Sequence, residues 1–146
     1  MKKKRFIFLS DAFYKDYPGK LYPEIEQKRY RPYIQVITTI NDVIYAIPLR
    51  SNINHPHVLW TDKENKCGLD FSKAVVISNP LYIDGDKVPH IRQNEFDALR
   101  GKDYRIKQKM IKYIETYKKA KGKDDKISRS IVEKSTLKYF EIYLKE

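Results

Sequence analysis

The sequence predicts a single α+β domain: a compact, strongly twisted antiparallel β-sheet or barrel with helices packed on it and a helical C-terminal third. Three observations lead to this prediction. The 146 residues suit one domain with one hydrophobic core, spanning 1–146. Short runs rich in β-branched and aromatic residues occupy about the first 90 positions. From Gln93 onward, apolar residues recur with the helical period instead.

The predicted strands are short and are separated by residues that favour turns. Asn41 and Asp42 tolerate the positive φ angles of a tight turn, so the runs on either side of them should pair as a hairpin. Asp84 and Gly85 predict a second hairpin for the same reason. The predicted strands are residues 5–10, 33–40, 43–49, 74–78, 81–83 and 87–88.

The helices are predicted from capping residues and from apolar spacing. Asp11 can cap a short first helix that ends at Pro18, and Asn94 can cap another that Gly101 stops. The long helix is residues 104–120, because its apolar side chains share one face and lysines take the others. That apolar face comprises Ile106, Met110, Tyr113, Ile114 and Tyr117, and two further helices follow at 127–133 and after Ser135 or Thr136.

The charge of the chain predicts a polyanionic partner. Lysine and arginine total 30 against 19 aspartates and glutamates, which gives a formal net charge of +11 and a pI near 9.6. Such an excess attracts nucleic acid and makes the binding strongly dependent on salt. A membrane surface is polyanionic too, but no amphipathic helix rich in lysine, tryptophan and leucine suits that alternative.

The start of the chain and its cysteine content favour a soluble, cytoplasmic protein. Only four apolar residues, 6–9, follow the basic opening run, whereas a signal sequence needs about 7–15 and a membrane span about 20. The single cysteine, Cys67, has no partner within the chain for a disulfide, which fits a reducing compartment.

Polar residues suited to phosphodiester chemistry are concentrated between residues 46 and 78. This segment begins and ends in predicted strands, and functional groups often lie on loops that strands hold in place. It contains two of the three histidines, the only tryptophan and the only cysteine. Its polar residues include Arg50, Ser51, Asn52, His55, His57, Asp62, Lys63 and Lys66.

Cleavage of RNA without a metal requires a base, an acid and stabilisation of the developing negative charge. We assign catalytic roles to Arg50, Ser51 and His55: Arg50 offers a fork of donors, Ser51 a hydroxyl, and His55 a group that titrates near neutrality. Each residue also has an ordinary alternative, since Arg50 can be a surface ion-pair partner, Ser51 a turn residue, and one histidine a hydrogen-bond partner of the loop backbone.

A zinc site is the competing interpretation of this segment. His55 and His57 lie two apart in an extended stretch, where alternate side chains point to the same side, and Asp62 and Cys67 could add ligands. The spacing matches no structural zinc pattern, and one cysteine is too few for the common closed sites. We therefore predict neither a metal nor a cofactor. No glycine-rich phosphate loop, nucleophile elbow or paired-carboxylate motif is present either.

Basic and aromatic residues elsewhere are candidates for RNA contacts. Lysines on the long helix could follow a nucleic-acid backbone, although a solvated helix face is an equally good explanation. Tyrosines in a basic loop can stack on bases. The predicted RNA-binding residues are Lys28, Tyr30, Arg31, His57, Lys63, Lys66, Lys73, Lys107 and Lys112.

Three segments carry a family resemblance. They are the loop that ends Arg31-Pro32-Tyr33, the run from Tyr45 to Ser51 with its Pro-Leu-x-Ser element, and the run from Gly68 to Lys73. In this order, before a helical C-terminal third, they resemble the endoribonuclease toxins of type III toxin–antitoxin systems, the ToxN/AbiQ group, and most closely its CptN/TenpN branch.

The resemblance implies a fold like the MazF and Kid toxins and metal-independent RNA cleavage that leaves a 2′,3′-cyclic phosphate. It implies cellular mRNA as substrate, a role in phage defence or in plasmid maintenance, and inhibition by a small pseudoknot RNA processed from tandem repeats. Toxin and RNA would alternate in a closed assembly. The family's small hydroxyl residue falls on Ser51, and its loop cation falls near Lys28 or Arg31. Some relatives have Thr where this chain has Arg50.

A non-catalytic RNA- or DNA-binding regulatory protein is the main alternative. It explains the charge and the tyrosine content equally well, but it leaves the cluster of polar residues from Arg50 to His57 unexplained.

Overall fold

The computed structural model describes residues 5–27 and 32–144 and has the predicted α+β architecture. Its strands form an antiparallel six-stranded sheet, and α-helices fill most of the C-terminal third. The strands are β1 Phe6–Ile7, β2 Gln35–Ile40, β3 Val43–Arg50, β4 Val58–Asp62, β5 Cys67–Asp70 and β6 Val75–Val76. The helices are α1 Asp11–Asp16, α2 Gln93–Leu99, α3 Asp103–Lys121 and α4 Lys126–Lys134, with 3₁₀ turns at Phe71–Lys73, Pro80–Tyr82, Thr136–Tyr139 and Glu141–Leu144.

Strand β3 is the centre of the sheet. One of its edges pairs along its length with β2, which in turn pairs with β1. The other edge pairs with β6 near its start, where Tyr45 lies opposite Val76, and with β5 at its end, where Arg50 lies opposite Gly68. Strand β4 pairs only with β5, so within the described chain the sheet is open rather than closed into a barrel, with β1 and β4 at its edges.

The hairpin of β2 and β3 confirms the prediction from its turn. Asn41 and Asp42 have φ angles of 49° and 65°, the left-handed region that a two-residue hairpin turn requires. Six residue pairs then align in register, from Ile40 with Val43 to Gln35 with Pro48. This hairpin delivers Arg50 and the chain that follows it to one end of the sheet.

A second hairpin, β4–β5, lies between the predicted strands 43–49 and 74–78, where the sequence predicts a polar loop, and that prediction is wrong. Lys66 closes its turn with a φ of 55° and donates its backbone N–H to the Lys63 carbonyl at 3.1 Å. Gly68 allows the two strands to lie unusually close, since a Cβ atom there would come within 2.4 Å of the Leu59 carbonyl oxygen. The β-prone run from Val58 to Thr61 was the signal in the sequence.

The hairpin predicted around Asp84 and Gly85 is wrong. Asn79 instead caps the 3₁₀ turn Pro80–Tyr82 by accepting the N–H of Leu81 at 2.9 Å, so no strand forms before the turn. Asp84 does make a turn, because its carboxylate accepts the N–H groups of Asp86 and Lys87. The chain therefore turns here without forming a hairpin, and Ile83 instead makes an isolated antiparallel bridge with Leu9.

The helical third follows the predicted periodicity. The five apolar side chains predicted for the inner face of α3 are all buried, and the helix packs against β2 and the turn Phe71–Lys73. Gly101, with a φ of 70°, lies between α2 and α3 as expected of a helix stop. After Ser135 the chain forms two 3₁₀ turns rather than the predicted last helix. None of the helices described is long and apolar enough to span a bilayer.

Candidate active site

Asp70 lies at the centre of the candidate site. It is the last residue of β5, it is fully buried, and it caps the turn Phe71–Lys73 by accepting the Ser72 N–H at 3.0 Å. The Ser72 hydroxyl also donates to its carboxylate, at 2.6 Å. Arg50 donates to the other carboxylate oxygen at 2.5 Å, and His55 Nε2 lies 3.0 Å from the first. One buried carboxylate therefore joins three side chains from three parts of the chain.

The charge of Asp70 is stabilised by these partners. Burial by itself would raise the pKa of the carboxyl group, but the hydrogen bonds from His55, Ser72 and Arg50 outweigh it and hold the pKa below its usual range. Asp70 is therefore an anion at neutral pH and acts as an acceptor for its neighbours.

Arg50 is held between two carboxylates. Its Nη1 donates to Asp70, and its Nη2 forms an ion pair with Glu26. The guanidinium carbon lies 5.7 Å from the centre of the Tyr33 ring, and Tyr33 in turn donates its hydroxyl to Glu26 at 2.7 Å. The side chain is only 20% exposed. Arg50 thus binds the end of β3 to its surroundings, and most of its charge is balanced within the protein.

Both ring nitrogens of His55 are engaged. Nδ1 accepts the backbone N–H of His57 at 3.0 Å, so the proton of the neutral ring lies on Nε2 and is donated to Asp70. The Ser72 hydroxyl lies 3.2 Å from the same Nε2. The hydrogen bonds fix both the tautomer and the orientation of the ring, and they also shape the loop that carries His57.

The ring of His57 lies on the other side of this loop. Its centre is 5.5 Å from the His55 ring and 5.2 Å from the Tyr113 ring on α3. Partial burial lowers the pKa of His57, His55 lowers it further, and Asp70 offsets only part of the effect. His57 is therefore a neutral imidazole at pH 7. Its ring nitrogens make no hydrogen bond with any residue of the described chain.

A cleft of about 160 Å³ separates the His57 loop from α3. Lys109, Lys112, Tyr113 and Thr116 are spaced three or four residues apart, so they share one face of α3 and form one wall. His57 lines the cleft from the loop, and its ring centre lies 5.2 Å from that of Tyr113. The remaining lining residues are Pro56, Val58 and Phe71.

Ser51 is exposed and lies in a different, neighbouring cleft of about 240 Å³. Arg50 connects the Ser51 cleft to the Asp70 cluster, since it lines this cleft and also donates to Asp70. The structure thus brings Arg50 and His55 together through Asp70, and it places Ser51 next to Arg50 on the solvent side. The other residues lining this cleft are Pro32, Tyr33, Ile34, Leu49, Cys67, His90, Arg92 and Glu95.

Apart from His57, which lines the cleft beside α3, the predicted RNA-binding residues fall into three groups. Lys73 is engaged within the protein, donating to Glu24 at 2.7 Å and to the Lys134 carbonyl at 2.8 Å. Lys28, Tyr30 and Arg31 lie outside the described residues. Lys63, Lys66, Lys107 and Lys112 are exposed, and only Lys112 lines the cleft beside His57.

Sequence analysis missed the residues that organise the site. Asp70, Ser72 and Glu26 are partners of Arg50 or His55 but lie 15 to 24 positions away from them in the chain. The only local signal was Asp70-Phe71-Ser72, an acidic residue two positions before a hydroxyl residue, which is typical of a capped turn. That signal predicts the turn but not its histidine and arginine partners.

The zinc interpretation has no geometric support in residues 5–27 and 32–144, where no three histidine, cysteine or acidic side chains are placed to hold a metal ion together. Cys67 is buried, and its thiol contacts the Asn65 carbonyl. Comparison of the chain with protein-family models, with curated proteins and with solved structures found no match.

Proposed function

We propose that this protein is a metal-independent endoribonuclease. The observation that carries the proposal is the buried Asp70, which binds a guanidinium and an imidazole. The next residue, Phe71, lines a cleft together with a second imidazole and two lysines of α3. Clusters of titratable groups held by a buried charge are typical of catalytic sites. The net charge of +11 favours RNA, a polyanion, as the substrate.

In the proposed reaction, a base removes the proton of the ribose 2′-hydroxyl and the 2′-oxygen forms a bond to phosphorus. The bond from phosphorus to the 5′-oxygen breaks, and this oxygen receives a proton. One fragment ends in a 2′,3′-cyclic phosphate and the other in a 5′-hydroxyl. The protein's cations stabilise the charge that develops on the phosphoryl oxygens.

The sequence assignment of Ser51, Arg50 and His55 keeps a place in this proposal, with their roles adjusted to their contacts. The exposed Ser51 hydroxyl lines the cleft beside Arg50, where it can contact bound RNA. Arg50 and His55 position the site, because Arg50 is shared between two carboxylates and both His55 nitrogens are engaged. This arrangement predicts that Ser51→Ala and Arg50→Ala lose activity for different reasons.

We further propose that the protein is a toxin of the type III class, related in fold to MazF and Kid and acting in the cytoplasm. It would be inhibited by a small pseudoknot RNA, processed from tandem repeats, within a closed toxin–RNA assembly. The support is the family resemblance, of which two segments, 45–51 and 68–73, lie side by side because β3 pairs with β5.

Incubation of the purified protein with total cellular RNA in EDTA tests the enzymatic proposal. Discrete fragments should form, and Ser51→Ala should reduce their rate of formation by about tenfold, as expected for loss of one hydrogen bond to the charged RNA in the cleft beside Arg50. Arg50→Ala should also lose activity, but with a lower midpoint of thermal unfolding, whereas Ser51→Ala should unfold like the wild type. Intact RNA after prolonged incubation would contradict the proposal.

One observation favours the alternative of a non-catalytic RNA- or DNA-binding regulator. Arg50 and His55 both bind the Asp70 carboxylate, and such a hydrogen-bond network can contribute to stability alone. The same experiment separates the two functions, because a regulator would bind RNA tightly at low salt and leave it uncut.

A further inference from the structure

The two imidazoles of the site differ in what their nitrogens contact. His55 accepts a backbone N–H with Nδ1 and faces Asp70 with Nε2, so neither nitrogen is directed at solvent for a substrate. His57 has no ring hydrogen bond to any described residue, and it lines a cleft. A general base must place a nitrogen lone pair within hydrogen-bond reach of the proton that it removes. His57 meets this condition, and His55 does so only if the bond to the His57 N–H opens.

The wall that α3 forms is suited to a phosphate. Lys109 and Lys112 line it, and neither forms an ion pair with a residue of the described chain. Lys73 is a useful contrast, since its ammonium group is already bound to Glu24 and to a backbone carbonyl. Two unpaired lysines on one helix face form a local positive charge that attracts an anionic backbone.

The size and chemistry of the cleft suit a short piece of a long ligand. Pockets for small molecules usually measure about 300–1,000 Å³, whereas this cleft measures about 160 Å³. Next to the lysines, the cleft is lined by the half-buried His57 and by the hydroxyl residue Thr116. A single phosphate, with the ribose and base beside it, therefore fits better than a whole small-molecule ligand.

We propose that His57, rather than His55, is the catalytic imidazole of this site, and that Lys109 and Lys112 hold the RNA phosphate in the cleft in front of it. The proposal rests on the endoribonuclease function proposed above. His57 takes the proton of the 2′-hydroxyl while the 2′-oxygen bonds to phosphorus. The 5′-oxygen leaves with a proton from water, and the imidazolium then returns its proton to solvent, so the protein ends unchanged.

The charged and titratable groups around His57 are compatible with this role. His55 faces it from the same loop, Asp70 from the end of β5, and Lys109, Lys112 and Tyr113 from α3. Burial raises the pKa of Tyr113 to about 12, so its hydroxyl stays neutral and donates to Ser135 at 2.8 Å. Burial and the neighbouring His55 lower the pKa of His57 and so favour its neutral form, which is the form that accepts a proton.

His55 then becomes a positioning residue. Its Nδ1 accepts the N–H of His57, and its Nε2 is anchored on the buried Asp70. This chain of hydrogen bonds fixes the backbone that carries His57 without touching the substrate.

The test compares cleavage and binding in four variants. His57→Ala should lower the cleavage rate of RNA by about 10²–10⁴, the usual contribution of a general base. It should bind a non-cleavable 2′-O-methyl RNA with less than a threefold change in Kd. Millimolar free imidazole should restore part of the rate to His57→Ala. The same imidazole should not restore the cleavage rate of His55→Ala, because His55 only holds the backbone of the loop that carries His57.

The lysine pair is tested with a matched control on the same helix. Lys109→Ala/Lys112→Ala should weaken binding of the 2′-O-methyl RNA at least tenfold. Lys118→Ala/Lys119→Ala removes the same charge from α3 outside the cleft and should change Kd less than threefold. An equal loss of RNA affinity in both double variants would overturn the assignment of the phosphate to the cleft.

The outcomes also separate this inference from the function on which it rests. If the wild type cleaves RNA and His57→Ala cleaves at the same rate, the inference is overturned while the endoribonuclease function stands. A loss of activity in His57→Ala that imidazole does not rescue would also overturn it, since a purely structural role predicts that result. If the wild type leaves all RNA intact, the proposed function fails, and the role of His57 fails with it.

Discussion

Asp70 is the residue on which the geometry of the site depends. Its carboxylate is fully buried and accepts hydrogen bonds from Ser72, Arg50 and His55. Buried ion pairs add little net stability compared with a well-packed apolar pair, but removal of one partner leaves the other charge uncompensated. Substitutions at Asp70 should therefore affect stability and site geometry together.

Asp70→Asn should lower the free energy of unfolding by about 3 kcal/mol, the lower end of the range for breaking a buried ion pair. Urea unfolding measures this change. Asp124→Asn is the control, because Asp124 is 98% exposed and makes only a loose ion pair with Arg129 at 3.9 Å. We expect it to change stability by less than about 0.5 kcal/mol. Equal stability of the two variants would show that the Asp70 network is not needed for the fold.

The same carboxylate predicts how stability depends on pH. The pKa of Asp70 is lower in the folded protein than its ordinary value of 3.8, so below that value the unfolded chain binds more protons. The stability that Asp70 contributes is therefore complete above about pH 5 and is lost as the pH falls through the folded pKa. The difference in the free energy of unfolding between wild type and Asp70→Asn, measured with urea, should therefore become smaller below pH 4. A constant difference down to pH 2 would contradict this linkage.

A pH profile of cleavage tests the role of His57 independently. Burial and the neighbouring His55 place its pKa below the ordinary value of 6.5. Because the neutral ring is the base, kcat/KM should rise with pH through a pKa below 6.5 and then level off. His57→Gln should lack this rise. A wild-type profile with no rise at any pH below 6.5 would exclude His57 as the base.

At the scale of elements, the β4–β5 hairpin brings Asp70 to the site. Gly68, two residues before Asp70, lies so close to β4 that a methyl group would collide with the Leu59 carbonyl. Gly68→Ala should destabilise the protein by about 1–3 kcal/mol, as overpacking does, and should reduce cleavage by displacing Asp70. Gly85→Ala is the matched control, since nothing lies within 4 Å of a Cβ there. If both variants unfold and cleave like the wild type, the close approach of the strands is not required.

Local sequence patterns predicted the elements whose determinants are local. Asn41 and Asp42 determine their own turn, and the apolar spacing of α3 determines its buried face. The β4–β5 hairpin was missed because its turn, residues 63–66, is charged and lacks glycine, so the segment resembles a loop. The false hairpin at Asp84 arose because Asn79 and Pro80 start a 3₁₀ turn where a strand was expected.

The candidate site was predictable only in part, for the same reason. Arg50, Ser51, His55 and His57 were found because they are close in the sequence. Their contacts with Asp70 and with Tyr113 depend on how the sheet and α3 pack, which no local pattern specifies. The different roles of His55 and His57 follow only from those contacts.

At the scale of the whole molecule, the excess of positive charge should govern affinity for RNA. Counterion release predicts that log K for single-stranded RNA falls linearly with log salt, by about 0.7 for each phosphate neutralised. Lys109→Ala/Lys112→Ala should reduce that slope by about 1.4 if both lysines bind phosphates. Fluorescence anisotropy with the 2′-O-methyl RNA at several salt concentrations measures it. An affinity that does not depend on salt would contradict RNA binding by the basic surface.

The central claim is that this chain cuts RNA by attack of the 2′-hydroxyl. Mass spectrometry of the 3′ ends formed from a defined RNA in EDTA tests it most directly. The account predicts fragments that end in a 2′,3′-cyclic phosphate, and none from the same RNA with 2′-O-methyl groups. Ends that carry a 3′-hydroxyl, or an RNA that stays intact, would contradict it.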